Sequence, residues 1–189
     1  RGWSPDRARG VDLDVRRLAA LEALSRHGQA QPRHLQVLQV APALWPTAAV
    51  IDWLQVLRRL EGVPQREAWL QQAQAQLRAR ITYAGSTLRF SQEEADDWWW
   101  LMDSPDANAA RLILAVHDDP AWKDEVPRLV TGALARQQRA AWRTTVANLW
   151  GTLALQRFAA HFERHPVGGR SMAILGGAKA THDWAPAAP

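Results

Sequence analysis

The sequence predicts a mainly α-helical fold built from paired helical hairpins. Apolar residues recur three or four positions apart over several long segments, which is the spacing of one helix face. Prolines and glycines stand at the ends of these segments, where they start and stop helices. A single short segment alternates apolar and polar residues instead, a pattern typical of a β-hairpin.

Four richly apolar helices are predicted to alternate with four more polar ones. The apolar helices are 11–27, 46–61, 105–117 and 144–164. The more polar helices are 32–40, 65–80, 92–101 and 124–139. Because such pairing shields one helix of each pair, we expect 46–61, 105–117 and 144–164 to be mostly buried, with Trp150 in the core. Repeated hairpins of this kind form either an open solenoid or a closed α/α toroid.

Prolines and glycines at the predicted helix ends support these boundaries. Gly28 ends the first helix, and Pro32 opens the second. Pro46 fits the first position of the helix with the clearest apolar stripe, and Pro64 precedes the next. Residues 81–90 alternate around Ala-Gly-Ser and predict a small β-hairpin.

The second half shows similar signals. Ser104 followed by Pro105 combines an N-cap with a first-position proline. Asp119 and Pro120 end that helix, and Thr144 or Thr145 caps the last and longest one.

The chain divides into a helical domain, 1–165, and a short tail, 166–189. Residues 171–175 are β-like and lie between two glycine pairs, whereas 181–189 is extended and rich in proline. Since the tail shows one strand without a partner, we expect that strand to pair with sequence outside this chain. The first residue is Arg1, and we expect the chain to be a piece of a longer protein.

Composition excludes several function classes. The 189 residues include no Cys, so they hold no disulfide, Cys-ligated zinc, thiol nucleophile or thioester. No apolar run approaches the ~20 residues of a membrane-spanning helix, so we expect no membrane insertion of this segment. The formal net charge is +4, but the arginines are scattered over polar helix faces, and we predict no nucleic-acid partner.

No catalytic residue, metal ligand or cofactor is predicted. The acidic residues between 93 and 106 stand at helix starts, where carboxylates complement the helix dipole. His161 and His165 are four apart but lack the Glu of a zinc-protease helix, which favours a surface pair. The sequence therefore predicts a protein that is not an enzyme.

Three consecutive tryptophans form the most unusual local feature. Trp98, Trp99 and Trp100 would cover about 300° of a helix, so at least one ring faces away from the core or meets another element. Two rings wedged between helical hairpins would be structural, whereas an exposed ring would contact another domain. These three residues are the candidate domain contact.

Six sequence blocks, in one consistent order, carry a family resemblance. They are LWPTAAVIDWL at 44–54, WWWLM at 98–102, DANAAR at 106–111, PRLV at 127–130, GALARQQR at 132–139 and WRTTVANLWG at 142–151. Together they resemble the helical thioester domain of bacterial α2-macroglobulins, over most of 1–165. The match corresponds to the C-terminal part of that domain.

The resemblance implies an α/α toroid inserted in a β-sandwich called CUB, to which the tail 166–189 would return. It also implies a periplasmic or cell-envelope protein that traps proteases when a bait segment is cleaved. Its partners would be the other domains of the parent and, through the parent, target proteases. Because the chain has no Cys, either the thioester lies before Arg1 or the parent lacks one.

Two other function classes remain open. An α/α-toroid enzyme, such as a lyase, glycosidase or terpene cyclase, would place acids in the central cavity, but no Asp-x-Asp-Asp motif is present. A helical-repeat scaffold would bind peptides along a concave face, but the hairpin at 81–90 would interrupt a regular solenoid.

Overall fold

The computed structural model describes residues 5–91, 99–162 and 168–184. Over these ranges the chain is mainly helical with two small antiparallel β-hairpins, which confirms the predicted fold class. Helices α1 to α6 are Pro5–Arg26, Thr47–Arg59, Arg66–Ala79, Pro105–Val116, Val126–Leu134 and Thr145–Phe162. Strands β1 to β4 are Ile81–Ala84, Thr87–Phe90, Gly169–Leu175 and Ala178–Trp184. Short 3-10 helices are Pro32–Val37, Pro42–Leu44, Trp99–Leu101 and Pro120–Trp122.

Helix α2 lies at the centre of the fold. Its apolar stripe is wide enough that most of its residues are buried, and Leu54 and Leu57 are fully so. Helices α1, α3 and α4 all pack against it. The predicted burial of 46–61 is therefore confirmed.

Helix α4 continues the same layer. The Ser104 hydroxyl accepts a hydrogen bond from the Ala107 amide at 3.2 Å, and Pro105 occupies the first turn, as predicted. Most of α4 is buried, including Leu112 and Ile113, which confirms the prediction for 105–117. Because α4 packs against both α2 and α6, neighbouring helices in this layer follow the order α1, α2, α4, α6.

The predicted hairpin at 81–90 is confirmed as β1 and β2. Its register runs from Ile81 opposite Phe90 to Ala84 opposite Thr87. Strand β2 packs against α5, where Gly132 permits an unusually close approach. A Cβ atom at this position would lie 2.1 Å from the Leu88 carbonyl oxygen, so no other residue fits without movement.

Helix α6 corrects the prediction that 144–164 is mostly buried. Only Ala147, Gly151 and Ala154 of this helix are buried, whereas Leu149 and Leu153 are exposed. Helix α6 packs on one side against α4, and small residues on that side allow close packing. Trp150 is therefore half-buried rather than a core residue.

Other predicted helices differ in length from those observed. The segment predicted at 32–40 is a 3-10 helix that ends at Val37. The helix predicted at 124–139 is shorter, Val126–Leu134. The chain then reverses direction between Gln138 and Ala141, where Arg139 and Ala140 have positive φ angles that no α-helix continues through. In the helix predicted at 92–101, residues 92–98 lie outside the described ranges, and 99–101 form a 3-10 turn.

The tail corrects the prediction of a single unpaired strand. Strands β3 and β4 form an antiparallel hairpin, here called the terminal hairpin, with Gly169 opposite Trp184 and Leu175 opposite Ala178. The polar sequence of β4 concealed it, because its side chains face solvent instead of alternating into a core. Gly176 and Gly177 make the turn with positive φ.

Arginine side chains join several helix ends to neighbouring segments. Arg66 donates to the carbonyl oxygens of Leu57 and Arg58 at 2.6 and 2.9 Å. Arg80 likewise donates to the Trp45 carbonyl at 2.6 Å. These guanidinium groups satisfy carbonyls that the end of a helix or a loop leaves without a backbone donor.

Candidate functional site

Of the three candidate tryptophans, the structure describes the side chain of Trp100. Trp98 and the side chain of Trp99 lie outside what the structure describes. The Trp100 side chain is 39% exposed, and its indole Nε1 donates to Asp12 Oδ1 on α1 at 3.2 Å. Trp100 thus keeps an exposed ring surface while its polar edge is bound within the chain, which is compatible with either predicted role.

A cleft of about 300 Å³ opens where helices α1, α2, α4 and α6 converge. We call it the arginine cleft, because four arginines line it together with two acids. Its charged residues are Glu22, Arg26, Asp52, Arg59, Arg111 and Arg157.

Glu22 joins α1 to α2 at one side of the arginine cleft. Its carboxylate accepts hydrogen bonds from Arg26 Nε at 2.8 and 2.9 Å and from Arg59 Nη1 at 2.8 Å. Burial opposes the ionised carboxylate, but the two arginines outweigh burial and hold the pKa of Glu22 below its ordinary value. Glu22 is therefore a carboxylate held by two guanidinium groups.

Asp52 forms the floor of the arginine cleft. It is buried on α2 and pairs with Arg111 of α4, whose second nitrogen, Nη1, lies 3.8 Å from Asp103. Burial raises the pKa of the Asp52 carboxyl, and attraction to Arg111 offsets only part of that rise. Burial lowers the pKa of Arg111, but attraction to Asp52 and Asp103 raises it by more than burial lowers it, so the guanidinium stays charged.

Trp150 forms the apolar side of the arginine cleft. The guanidinium carbons of Arg26 and Arg111 lie 5.7 and 5.9 Å from the centre of its ring, within the range of a cation–π contact. Leu114 and Leu153 extend this apolar surface. The cleft therefore combines an aromatic wall with charged edges.

Both acids of the arginine cleft are held in ion pairs. Glu22 and Asp52 are both bound by arginines, which removes them as free general bases. Among the residues that the structure describes, no three His, Cys, Asp or Glu side chains gather as a metal site. The arrangement can attract and orient a charged group, but it does not supply a nucleophile with its base.

Two histidines lie at the edge of this region. His117 lines the cleft, and its ring centre lies 6.1 Å from that of His161 on α6. The predicted surface pair of His161 with His165 cannot be followed, because His165 lies outside the described ranges.

The sequence reasoning missed the arginine cleft. Its residues come from four helices that are far apart in the chain, and spacing within one helix does not show which helices meet. One signal was present: Asp52 and Arg111 interrupt apolar stripes of buried helices, where a charged residue needs a partner.

Comparison with protein-family models, curated proteins and solved structures gave no match. The resemblance to α2-macroglobulins therefore stays a prediction. Within the described residues, no helix has both the length and the apolarity needed to cross a membrane.

Proposed function

We propose that this chain is a non-catalytic interaction segment of a bacterial α2-macroglobulin-like, protease-trapping inhibitor. The proposal joins the order of the sequence blocks with a mainly helical body in which α2 packs against α1, α3 and α4, and α4 packs against α6. It places the parent in the periplasm or cell envelope, with its own other domains as the direct partners of this segment.

The exposed terminal hairpin is the observation that carries the proposal. Every residue of β3 and β4 is exposed, including Met172, Ile174, Leu175 and Trp184. A two-stranded hairpin is marginally stable by itself in water. Met172 and Ile174 are two residues apart on β3 and therefore expose adjacent apolar side chains on one face, and adjoining exposed apolar groups mark a contact site. A hairpin of this kind fits a joint between the helical body and a sheet of the parent.

The open side of α6 adds a second contact surface to the proposal. Leu149 is 60% exposed and Leu153 is 39% exposed, although the predicted pattern placed this helix inside. If more helices followed or preceded in a toroid, they would cover this side. The exposed leucines therefore support a body that continues beyond the described residues.

In this proposal, the segment moves as a rigid body when cleavage of the bait segment changes the conformation of the parent. The described acids of the arginine cleft are engaged in ion pairs, and the chain has no Cys with which to form a thioester. Capture would then depend on enclosure or on a thioester elsewhere in the parent.

A trapping assay on the full-length parent tests the proposal. A protease enclosed by a trap still cleaves a small fluorogenic peptide but loses activity on a bulky protein, because only the small substrate reaches it. We expect wild type to cause this split. We expect Ile174→Asp to reduce it, because a charge would disrupt the hairpin contact.

Leu44→Asp is the matched control, since Leu44 is 68% exposed and Ile174 is 66% exposed. Trapping that is equally strong in wild type and Ile174→Asp would remove the hairpin as a joint. Protease trapping itself would be contradicted if the wild-type parent blocked cleavage of the peptide as strongly as cleavage of the protein. It would also be contradicted if the parent blocked neither.

The position of the acids favours one second candidate, an α/α-toroid enzyme. Glu22 and Asp52 lie in a cleft between helices, which is where such enzymes would place acids. Turnover of a peptide, ester or glycoside substrate that Asp52→Asn abolishes would establish the enzyme and overturn the non-catalytic proposal. Circular dichroism would show that the variant still folds.

A further inference from the structure

The charges of the arginine cleft are not balanced by its own residues. Four guanidinium groups line it against two carboxylates, and a third carboxylate, Asp103, lies 3.8 Å from Arg111 behind the cleft, which leaves one positive charge in excess. Glu22 is shared between Arg26 and Arg59, and Asp52 is taken by Arg111. An opening lined in this way attracts anions, because its low-dielectric walls concentrate the field.

Two of these guanidinium groups can reach a ligand. Arg157 is exposed and makes no ion pair with any residue that the structure describes. Arg26 binds Glu22 through Nε alone, which leaves its two terminal nitrogens for another acceptor, and its side chain is 48% exposed. Two guanidinium forks at one opening fit a planar carboxylate.

The apolar wall of the cleft favours a ligand that carries an apolar group next to its negative charge. Trp150 is half-buried, and Leu114 and Leu153 lie on the same cleft. A ligand ring could stack on the indole where the two arginines do not cover it. The volume of about 300 Å³ matches a small organic molecule or a short side-chain pair.

We propose that the arginine cleft is a binding site for a carboxylate that is joined to an aromatic or apolar group. Arg157 and Arg26 bind the carboxylate, and Trp150 packs against the apolar part. The ligand is either a free organic acid or an acidic residue beside an aromatic residue in a peptide. The inference does not depend on the trapping function.

Titration of the chain followed by NMR tests the site, with benzoate, benzamide, inorganic phosphate and a blocked Phe-Asp dipeptide as probes. We expect saturable shifts of the Trp150 indole signal with benzoate or the dipeptide. The tighter of the two identifies the source of the carboxylate. Benzamide, which keeps the ring but not the charge, should bind at least about tenfold more weakly.

Arg157→Gln is the decisive variant, because the exposed side chain can change without disturbing a described ion pair. Affinity for benzoate and for the dipeptide should fall about tenfold. Arg143→Gln removes an exposed arginine that does not line the cleft and should leave affinity unchanged.

Three outcomes would overturn the inference. They are absence of saturable binding by both carboxylates, equal affinity of wild type and Arg157→Gln, and phosphate binding as tight as that of benzoate. The last would show that the apolar wall contributes nothing to recognition.

Discussion

Gly132 shows how one missing side chain fixes the distance between two elements. A Cβ atom there would meet the Leu88 backbone, whereas a Cβ at Gly10 in α1 would only touch Val40 Cγ2 at 3.4 Å. We expect Gly132→Ala to lower the free energy of unfolding by roughly 1–3 kcal/mol, because α5 must move away from β2. Gly10→Ala should raise it by up to about 1 kcal/mol through helix propensity.

Urea denaturation of the two alanine variants measures both effects. Since both glycines lie in helices with ordinary backbone angles, the opposite signs isolate the steric contact at β2. Gly132→Ala as stable as Gly10→Ala would show that α5 does not approach β2 so closely.

At the scale of elements, α6 is anchored by the loop that precedes it. The Asn148 amide oxygen accepts from the Trp142 N–H at 3.0 Å, and its nitrogen donates to the carbonyls of Trp142 and Thr144 at 2.8 Å each. The Trp142 indole donates in turn to the Ala133 carbonyl in α5 at 2.9 Å. Two side chains, Asn148 and Trp142, therefore hold the connection between α5 and α6.

We expect Asn148→Ala to destabilise the protein by about 1–3 kcal/mol, because it leaves the Trp142 backbone groups without partners. Compared with wild type, Asn148→Ala should accelerate the hydrogen exchange of α6 amides more than that of α2 amides. Thr152→Ala is the control, since it removes one exposed hydrogen bond to the Asn148 carbonyl and should cost less than about 0.5 kcal/mol. Equal costs would mean that the loop does not anchor α6.

Several of these elements could be predicted from the sequence, for a physical reason. Helices α2 and α4 carry their apolar stripes and their proline starts in adjacent residues, so local pattern decides them. The burial of α6 depends on which helices cover it, and the pairing of β4 depends on β3 rather than on its own polar sequence. Neither dependence is visible within a single segment.

At the scale of the whole molecule, the arginine cleft was beyond prediction for the same reason. In the sequence, each arginine fits a solvated helix face, and Asp52 is only a charged residue within the apolar stripe of α2. Only the packing of four helices brings their charges together. The site is therefore a property of the tertiary arrangement.

Acid should weaken the contact between α1 and α2 at this cleft. The arginines hold the pKa of Glu22 below its ordinary value of 4.5 in the folded chain. A carboxyl whose pKa is lowered on folding stabilises the protein above its unfolded pKa and loses that contribution as pH falls through the folded pKa. The stability advantage of wild type over Glu22→Gln should therefore shrink below about pH 4.5.

Urea unfolding of both proteins between about pH 7 and pH 3 measures this advantage. Glu61→Gln serves as the control for a glutamate that is exposed and outside the cleft. An advantage over Glu22→Gln that grows with acidity would contradict the ion pairs of Glu22 with Arg26 and Arg59.

The arginines that bind backbone carbonyls also make arginine and lysine unequal in this protein. Arg66 spans two successive carbonyls with one planar group, whereas a lysine ammonium is a compact charge on a flexible stem and does not offer that fork. A variant with lysine at positions 66 and 80 would keep the formal net charge of +4 and yet lose the joints at Leu57, Arg58 and Trp45. In this fold the shape of the basic group matters as much as its charge.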